Sequence, residues 1–487
     1  MNAQVKMLEW PTVPEEDSAP ELWNAVAIAR ATGGTANGDF RVSGVEIDSR
    51  DVQPGDLFVA LKGEASDGHR FVEMALANGA AAALVDREVE GAHVRTGDTF
   101  EALKALGKEA RERTRARIVG ITGSVGKTGV KEAIFAALDR ASRGRAHRSV
   151  KSYNNHVGVP LSLARMPKGS RYGIFEMGMN HAGEIADLTR QVRPHVAVIT
   201  TIAPAHIEML GSEEAIADAK AEIFEGLEPG GVAVIPADSP HFVRLRAAAD
   251  KCDATVVSFG KADHADVRLL DAVPAATGGS LITVELGDRR VCCTVAVPGE
   301  HWIVNALAVL ATVRAVGADL GAAGLALAEL QGLAGRGERI EFAAKGGSAL
   351  LIDESYNANP ASMRATLKQL GGETAARRIA VLGAMKELGS HGPKYHAELA
   401  APLGEAGVDF AILVGEEMAD LARELGKSAE NALGKAMSFA HCATVEEAVE
   451  TLRNYGLKAD DAVLVKGSNS VGLAKLVSAI AKQEGQA

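Results

Sequence analysis

Short apolar runs alternate with helical patterns along most of the chain, which predicts parallel strands joined by helices. Between residues 113 and 335 the apolar runs are Arg117–Gly123, Tyr172–Met177, Val196–Thr201 and Gly231–Ile235. Runs that are apolar throughout, rather than at every second position, are typical of strands buried on both faces. This segment is therefore predicted to be a doubly wound α/β domain, a mainly parallel sheet with helices on both faces.

The same alternation starts again after Gly335. Helices are predicted at Met363–Leu370 and Thr444–Tyr455. The apolar runs around them predict four buried strands: Ala349–Asp353, Ile379–Leu382, Phe410–Val414 and Ala462–Val465. The C-terminal part is therefore predicted to be a second, Rossmann-like α/β domain.

The N-terminal part combines helical patterns with extended, strand-like stretches. Helical patterns lie at residues 22–29, His69–Asn78 and Glu101–Arg117, and extended stretches lie at Asp56–Leu61 and Ala81–Val85. This pattern predicts a small mixed α/β domain. We expect three domains, 1–112, 113–335 and 336–487, with residues 1–20 as a flexible extension. That number fits 487 residues at about 100–200 residues per domain.

Composition excludes some classes of protein. The chain is 47% hydrophobic and 24% charged, which excludes wholesale disorder. It has 52 basic and 63 acidic residues, and the net charge of −11 argues against a dedicated nucleic-acid-binding protein. The most apolar stretch, Val304–Leu330, is interrupted by Arg314, Asp319 and Glu329, so no membrane span is predicted.

The cysteines and the N-terminal residues indicate the cellular compartment of the protein. The four cysteines, Cys252, Cys292, Cys293 and Cys442, match no zinc-binding spacing. Residues 1–18 contain no apolar stretch typical of a secretion signal. We therefore expect reduced thiols and a cytoplasmic location.

The strongest local motif is Thr122-Gly-Ser-Val-Gly-Lys-Thr128, between a predicted strand and the helical run Val130–Asp139. Glycines let backbone N–H groups turn toward phosphate oxygens, and the helix N-terminus adds positive potential. Lys127 would neutralise the outer phosphates, and the Thr128 hydroxyl would bind Mg²⁺. A strand–turn–helix junction without a ligand is the alternative, since Ile121 stands where the standard pattern has glycine. The predicted ATP-binding residues here are Thr122, Gly123, Ser124, Val125, Gly126, Lys127 and Thr128.

Polar side chains follow the next strands. Glu176 stands at the end of one predicted strand and His206 follows the next, and the carboxyl ends of parallel strands face the ligand crevice. These two residues could hold metal ions against the γ-phosphate. The alternatives are that Glu176 is a helix-capping acid and that His206 has no functional role. Asp353-Glu-Ser-Tyr-Asn-Ala-Asn-Pro360 predicts a rigid polar loop built for hydrogen bonding, and a well-made turn is the alternative. The pattern around Lys220, on an amphipathic helix, is typical of a solvated surface lysine.

Four segments together resemble the Mur ligase family: Thr122–Thr128, Ser152-Tyr-Asn-Asn-His-Val-Gly-Val-Pro160, Glu176-Met-Gly-Met-Asn180 and Asp353–Pro360. The resemblance extends from about residue 21 to the end, with the motifs in the family's order. The Asn-Asn-His-Val-Gly and Tyr-Asn-Ala-Asn-Pro loops are most similar to the member that adds D-alanyl-D-alanine, rather than to relatives that add earlier residues of the stem peptide.

The resemblance implies an N-terminal domain for a UDP-muramoyl group, a central ATPase and a C-terminal domain that closes over both. It implies ATP and Mg²⁺ as cofactors, and UDP-MurNAc-tripeptide and D-Ala-D-Ala as substrates. ATP would phosphorylate the tripeptide carboxylate, and the dipeptide amine would attack the acyl phosphate. The product would be the UDP-MurNAc-pentapeptide precursor of peptidoglycan. We expect a monomer without a nucleic-acid partner.

The resemblance also assigns roles to residues. Glu176, His206 and Lys220 would bind Mg²⁺ together with Thr128, the lysine as an anionic carbamate. Lys127, Lys220 and His206 would be catalytic, and Asn305, Arg336 and Asp353 would contact the nucleotide. The implied substrate-binding residues are Ser49, Arg50, Lys62, Gly63, Asp67, His69, Asn154, Asn155, Tyr356, Asn357 and Asn359. The chain departs from the family at Trp302, usually asparagine, and at Asn469, often arginine.

Other functions stay open on the sequence alone. The chain could be a ligase of the same family that adds a different amino acid, or an enzyme of the folate-polyglutamate type. It could also be a P-loop switch or motor. A sugar-nucleotide-binding module with a vestigial ATPase is a further alternative, against which the intact Lys127, Thr128, Glu176 and His206 argue. The motifs leave the third stem residue, lysine or diaminopimelate, and the base for the attacking amine unassigned.

Overall fold

The computed structural model describes residues 21–63, 66–150, 152–204, 207–276, 278–427 and 437–481. The chain divides into two compact units, Met1–Arg113 with Leu163–Lys168 and Thr114–Ser162 with Gly169–Ala487. The second unit carries two separate sheets, each with its own apolar core. The predicted α/β class is confirmed, while the domain boundaries after 112 and 335 stay predictions.

The first unit is a small mixed sheet with helices. Its elements are β1 (Trp23–Asn24), α1 (Ala25–Thr32), β2 (Thr35–Asn37), β3 (Arg41–Val42), β4 (Gly44–Glu46), β5 (Asp56–Val59), α2 (Val72–Ala77), β6 (Ala82–Val85), β7 (His93–Arg95) and α3 (Thr99–Glu112). In its described part, five strands pair in the order β2-β7-β6-β5-β4. The helix predicted from His69 begins instead as a 3₁₀ turn, Gly68–Phe71, because the Asp67 side chain caps the His69 N–H; the α-helix starts at Val72.

The central sheet lies in the second unit and contains the predicted phosphate loop. Its elements are β8 (Arg117–Thr122), α4 (Lys127–Ser142), β9 (Ala146–Arg148), α5 (Gly158–Ala164), β10 (Tyr172–Glu176), α6 (Glu184–Val192), β11 (Val196–Ile199), α7 (Ile207–Leu210), α8 (Glu213–Ala221), β12 (Val232–Pro236), α9 (Phe242–Asp250), β13 (Thr255–Gly260), β14 (Val267–Pro274), β15 (Ser280–Leu286), β16 (Arg289–Val295), α10 (Glu300–Ala315) and α11 (Leu320–Glu329).

Strand order places the predicted site residues side by side. The described strands pair in the order β16-β15-β14-β13-β12-β11-β8-β10-β9, in parallel from β9 to β14. Glu176 pairs with Ile121, and Ile199 pairs with Thr122. The carboxyl ends of β10 and β11 therefore flank the start of the phosphate loop.

The apolar segment at 304–330 forms α10 and α11. Helix α10 is buried on most sides because it packs against the sheet and also contacts α4 and α11. A helix that is apolar on all sides is expected where it is covered on all sides. In the described part of the chain, no helix combines the length and apolarity needed to cross a membrane. The four cysteines are free thiols.

The C-terminal sheet is also doubly wound. Its elements are β17 (Glu338–Ala344), β18 (Gly347–Glu354), α12 (Pro360–Gly371), β19 (Arg377–Gly383), α13 (Gly392–Ala397), α14 (Ala400–Glu405), β20 (Phe410–Val414), α15 (Ala419–Leu425), β21 (Ser438–Cys442), α16 (Val445–Tyr455), β22 (Asp461–Lys466) and α17 (Ala474–Ala481). The described strands pair in the order β17-β18-β22-β19-β20-β21, with β17 antiparallel to its neighbour. Side chains at alternate strand positions, such as Ile379 and Val381, share a core with α16 and α17.

A buried ion pair links the neighbouring strands β19 and β22 of this sheet. The Arg377 guanidinium donates to Asp461 Oδ1 at 2.8 Å and Oδ2 at 2.6 Å, and the Asp461 side chain is fully buried. Asp461→Ala leaves the Arg377 guanidinium without its carboxylate partner. This substitution is expected to lower the free energy of unfolding by about 3–5 kcal/mol. Hydrogen exchange of β19 and β22 amides measures the loss. The exposed pair Asp420–Arg423 is the control, since Asp420→Ala should cost at most about 1 kcal/mol; equal protection in both variants would contradict the prediction.

Candidate active site

The predicted phosphate loop connects β8 to α4. Gly126, directly before the helix, has φ of +86°, a left-handed conformation that favours glycine. A Cβ at Gly123 would lie 2.0 Å from Thr200 Oγ1. That hydroxyl donates to the Val125 carbonyl at 2.6 Å. The end of β11 therefore fixes the loop, and both glycines are required by its path.

Lys127 folds back over the loop. Its Nζ donates to the Gly123 carbonyl at 2.7 Å. Burial lowers the pKa of Lys127, although the Glu176 carboxylate acts in the opposite direction. The positive charge is therefore held next to the loop that is predicted to receive phosphate oxygens.

Glu176 joins the phosphate loop to a neighbouring loop. Its carboxylate is 1% exposed; Oε2 accepts from the Thr128 hydroxyl at 2.9 Å, and Oε1 accepts from Asn154 Nδ2 at 2.8 Å. Lys131, one turn after Lys127, lies 4.0 Å from Oε2 and donates to the Ser149 carbonyl at 2.9 Å. A hydroxyl and a carboxylate side by side are oxygen ligands of the kind Mg²⁺ prefers. The residues present therefore fit a magnesium ion.

Lys220 lies on α8 and is only 2% exposed, so the surface position that its pattern suggested is wrong. No carboxylate pairs with it among the residues that the structure describes. Burial lowers the pKa of Lys220 well below its usual range, and nearby Lys127 lowers it further. Lowering the pKa of an amine favours its deprotonated form, which is the nucleophile. His206, the other predicted metal ligand, lies outside the described residues. Groups of three or more His, Cys, Asp and Glu side chains suited to a metal are absent from the described part.

The start of α10 packs against the phosphate loop. A Cβ at Gly126 would lie 3.0 Å from Asn305 Oδ1, so the predicted nucleotide contact stands beside the loop. Trp302, the departure from the family, is buried, and its ring would meet a Cβ at Gly129 at 2.8 Å. The indole therefore fills the space next to the first turn of α4.

The Arg336 side chain contacts the loop that contains Ser152. Its Nη2 donates to Ser152 Oγ at 3.3 Å, and its guanidinium lies 4.2 Å from the centre of the Tyr356 ring. Asp353 is buried and accepts from the Gly335 N–H at 2.9 Å and the Ser355 N–H at 3.0 Å. Because its oxygens fix two backbone segments, Asp353 positions the turn that carries Arg336.

Asparagine side chains in the two polar loops accept hydrogen bonds from backbone N–H groups of the same loops. Asn155 Oδ1 accepts from the Gly158 N–H at 2.9 Å, and Asn357 Oδ1 accepts from the Ala358 N–H at 2.9 Å. Asn359 caps α12, because its Oδ1 accepts from the Ser362 N–H at 2.9 Å. These bonds tie each side chain to the backbone of its own loop, and the substrate-binding roles stay predictions.

The predicted sugar-nucleotide residues all lie in the first unit. Asp67 accepts from His69 Nδ1 at 2.6 Å, and this bond lowers the pKa of Asp67. Lys62 pairs with Asp86, and the Gly63 N–H donates to the Ser66 carbonyl at 2.9 Å. Ser49 is buried, and Arg50 pairs with Asp48 at the surface. Their substrate-binding roles also stay predictions.

Comparison with known proteins gives the family. Residues 121–313 match the Mur ligase middle domain, residues 335–469 the Mur ligase glutamate ligase domain, and residues 41–123 the Mur ligase family catalytic domain. The UDP-N-acetylmuramoyl-tripeptide–D-alanyl-D-alanine ligase of Escherichia coli K12 is 34% identical over 445 residues, 91% of this chain and 94% of the relative. That of Rickettsia prowazekii is 31% identical over 468 residues, 94% of this chain and 99% of the relative. The chain belongs to the Mur ligase family.

Solved structures agree with this family. MurF from Acinetobacter baumannii is 30% identical to this Mur ligase, with a TM-score of 0.79 over 94% of this chain and 99% of that one. The MurF ligase from Thermotoga maritima in complex with ADP is 27% identical, with a TM-score of 0.72 over 90% and 97%.

The structure also shows residues of the Mur ligase site that the sequence analysis missed. Thr200 holds the phosphate loop through Val125, while Lys131 and Ser149 support Glu176. The spacing of Lys131, four residues after Lys127, was the available signal, because residues one turn apart share a helix face. Nothing in the local pattern distinguishes Thr200 from an ordinary residue after a strand.

Proposed function

We propose that this Mur ligase joins D-alanyl-D-alanine to the terminal carboxylate of UDP-N-acetylmuramoyl-tripeptide, with conversion of ATP to ADP and phosphate. The observation that carries the proposal is the placement of Lys127, Thr128 and Glu176 around one phosphate loop, with the buried Lys220 amine in the same domain. The names of the E. coli and R. prowazekii relatives supply the two substrates.

Two anions must meet in the first step, because the tripeptide carboxylate attacks the γ-phosphate of ATP. Lys127 lies over the loop that would hold that phosphate, and its fixed charge offsets the repulsion. Mg²⁺, when bound by Thr128, Glu176, His206 and the modified Lys220, would neutralise the remaining phosphate charge. Asn154 and Lys131 keep the Glu176 carboxylate in place.

Lys220 is proposed to act as a carbamate. Its neutral amine would attack CO₂, the new N–C bond would form, and the amine would lose a proton. The product is an anion, which suits both a metal ion and the neighbouring Lys127. Burial without a carboxylate partner in the described part supports this modification.

The amine of the dipeptide would then attack the acyl phosphate, and loss of phosphate would leave the amide bond. An acyl phosphate reacts readily with water, so exclusion of water by the C-terminal domain is expected. Arg336, held on Tyr356 and bonded to Ser152, would contact the nucleotide during this step. We also propose that the enzyme acts in the cytoplasm as a monomer in peptidoglycan synthesis, on which cell shape and division depend.

Mass spectrometry of the products tests the proposal. The chain is incubated with UDP-MurNAc-tripeptide, D-Ala-D-Ala and MgATP. Two tripeptides are compared, one with lysine and one with diaminopimelate as its third residue. The expected product is the tripeptide plus the dipeptide less one water, formed with one ADP per conjugate. Single amino acids and a folate acceptor serve as controls. ATP hydrolysis without either substrate, and no conjugate, would instead favour a P-loop switch.

A further inference from the structure

Five exposed arginines lie around the amino ends of three neighbouring strands in the central sheet. Arg115 and Arg117 lie at the start of β8, Arg143 and Arg145 lie between α4 and β9, and Arg171 comes directly before β10. The three strands are adjacent in the sheet, in the order β8-β10-β9. We call these five residues the arginine patch.

Backbone hydrogen bonds place three members of the arginine patch in one row. The Arg117 N–H donates to the Arg171 carbonyl at 3.0 Å, and the Arg171 N–H donates to the Arg145 carbonyl at 2.7 Å. Neighbouring strands lie about 5 Å apart, so the three side chains leave a stretch of backbone about 10 Å wide. Because like charges on neighbouring strands destabilise a sheet, this row is unfavourable for the fold by itself.

The contacts of these side chains leave their charges unneutralised. Arg145 Nε donates to the Ser142 carbonyl at 3.2 Å, and the Arg171 guanidinium lies 5.9 Å from the centre of the Tyr172 ring. Among the residues that the structure describes, no carboxylate forms an ion pair with any of the five guanidinium groups. The patch therefore presents positive charge to solvent.

Carboxylates close to the patch in the sequence have other partners. Glu329 pairs with Arg140, in the last turn of α4. Asp139 Oδ1 accepts from the Ala146 N–H at 3.2 Å. The chain has 63 acidic residues and a net charge of −11, so a group of arginines without acidic partners differs from the charge balance of the whole protein.

The composition of the patch indicates the chemistry of its partner. The planar guanidinium matches phosphate oxygens with two parallel hydrogen bonds. Specific protein–protein interfaces depend on buried apolar or aromatic anchors. None of the exposed large apolar side chains of the described chain comes from the segments that carry the patch, and the nearest in sequence, Val150, follows the carboxyl end of β9. A partner protein is therefore disfavoured, and the net charge disfavours a nucleic acid.

The patch and the phosphate loop lie at opposite edges of the same sheet. The phosphate loop follows the carboxyl end of β8, and Glu176 ends β10, whereas the patch lies where both strands begin. Strand β8 contains six residues, so about 15–20 Å separates the two edges at about 3.3 Å per residue. A partner on the patch therefore leaves the phosphate loop and Glu176 uncovered.

We propose that the arginine patch binds the phosphate headgroups of an anionic lipid surface and attaches the enzyme peripherally to it. Clusters of four to eight basic side chains bind such surfaces by charge attraction alone. The net negative charge of the protein repels the same surface elsewhere, which orients the molecule with the patch toward the lipid. This inference goes beyond the proposed function and does not depend on it.

Sedimentation of the full chain with lipid vesicles tests the proposal. Vesicles of phosphatidylglycerol and phosphatidylcholine in equal parts should bind the wild type, and vesicles of phosphatidylcholine alone should not. Arg117→Gln and Arg171→Gln, made together, should weaken binding to the anionic vesicles about 30-fold, since each charge contributes about 1 kcal/mol at such a surface. Arg244→Gln with Arg423→Gln removes the same charge at two exposed, acid-paired arginines and should leave binding unchanged.

Salt dependence and circular dichroism complete the test. Raising the ionic strength from about 0.01 M to about 1 M shortens the Debye length from about 30 Å to about 3 Å and should release the wild type. The far-UV spectra of both double variants should match that of the wild type, because the substituted side chains are at the surface.

Three results would overturn the proposal. The first is no binding of the wild type to anionic vesicles at low salt, and the second is equal binding of the wild type and the patch variant. The third is tighter binding of the wild type to a duplex oligonucleotide than to the vesicles, which would make the patch a nucleic-acid surface. Ligation is measured separately, so failure here leaves the proposed function standing.

Discussion

Replacing Lys127 by alanine is expected to reduce ligation by about 10³-fold, with the fold intact. The lysine lies over the phosphate loop and is bonded to the Gly123 carbonyl. Its removal leaves the repulsion between the carboxylate and the γ-phosphate without a fixed counter-charge on this side. The rate of conjugate formation at saturating substrates measures the effect, and circular dichroism checks the fold.

The matched control is Lys251→Ala, at an exposed lysine after α9. It should leave the rate unchanged. Near-normal turnover of the Lys127→Ala enzyme would show that the loop does not position the transferred phosphate.

Replacing Lys220 by methionine is expected to reduce ligation by about 10²- to 10³-fold, because methionine cannot become a carbamate or bind a metal ion. Methionine fills a similar buried volume, so the loss would not come from a cavity. Added short-chain carboxylates should restore part of the activity of the smaller Lys220→Ala variant. In the wild type, ¹³C-bicarbonate should give a carbamate NMR signal that both variants lack. Full activity of Lys220→Met would contradict the carbamate.

The same variant gives a pH test that does not depend on catalysis. The folded-state pKa of Lys220 is lowered by burial, so between that value and the ordinary 10.5 the unfolded state binds more protons. Stability from this group therefore rises with pH across that interval and levels off above it. In CO₂-free buffer, Lys220→Met should be at least as stable as the wild type at neutral pH, and the difference should shrink toward pH 10.5. A difference independent of pH would contradict a neutral buried amine.

Most of the parallel strands were predictable because their central positions are apolar. The runs at Tyr172–Met177 and Phe410–Val414 became β10 and β20 with nearly the predicted bounds. The antiparallel extension β14–β15–β16 was not predicted. Its strands are half-exposed, and polar residues such as Arg268 and Thr283 interrupt the apolar pattern. Their position depends on pairing with β13, which no local pattern encodes.

The site was predictable in part. The motif at Thr122–Thr128 and the position of Glu176 after a strand were enough to place both at one sheet edge. The burial of Lys220 was not predictable, because the helix pattern does not show which face the rest of the domain covers. The support of Glu176 by Asn154 likewise comes from a tertiary contact. The capping of α12 by Asn359 is local, since the bond to the Ser362 N–H spans three residues.

The most direct test of the account follows the oxygen atoms of the tripeptide carboxylate. UDP-MurNAc-tripeptide labelled with ¹⁸O in its terminal carboxylate is converted with unlabelled MgATP and D-Ala-D-Ala, and the released phosphate is examined by mass spectrometry. Formation of an acyl phosphate predicts one ¹⁸O atom in each phosphate and one in each new amide carbonyl. Phosphate without label, released while conjugate accumulates, would contradict activation of the carboxylate by ATP.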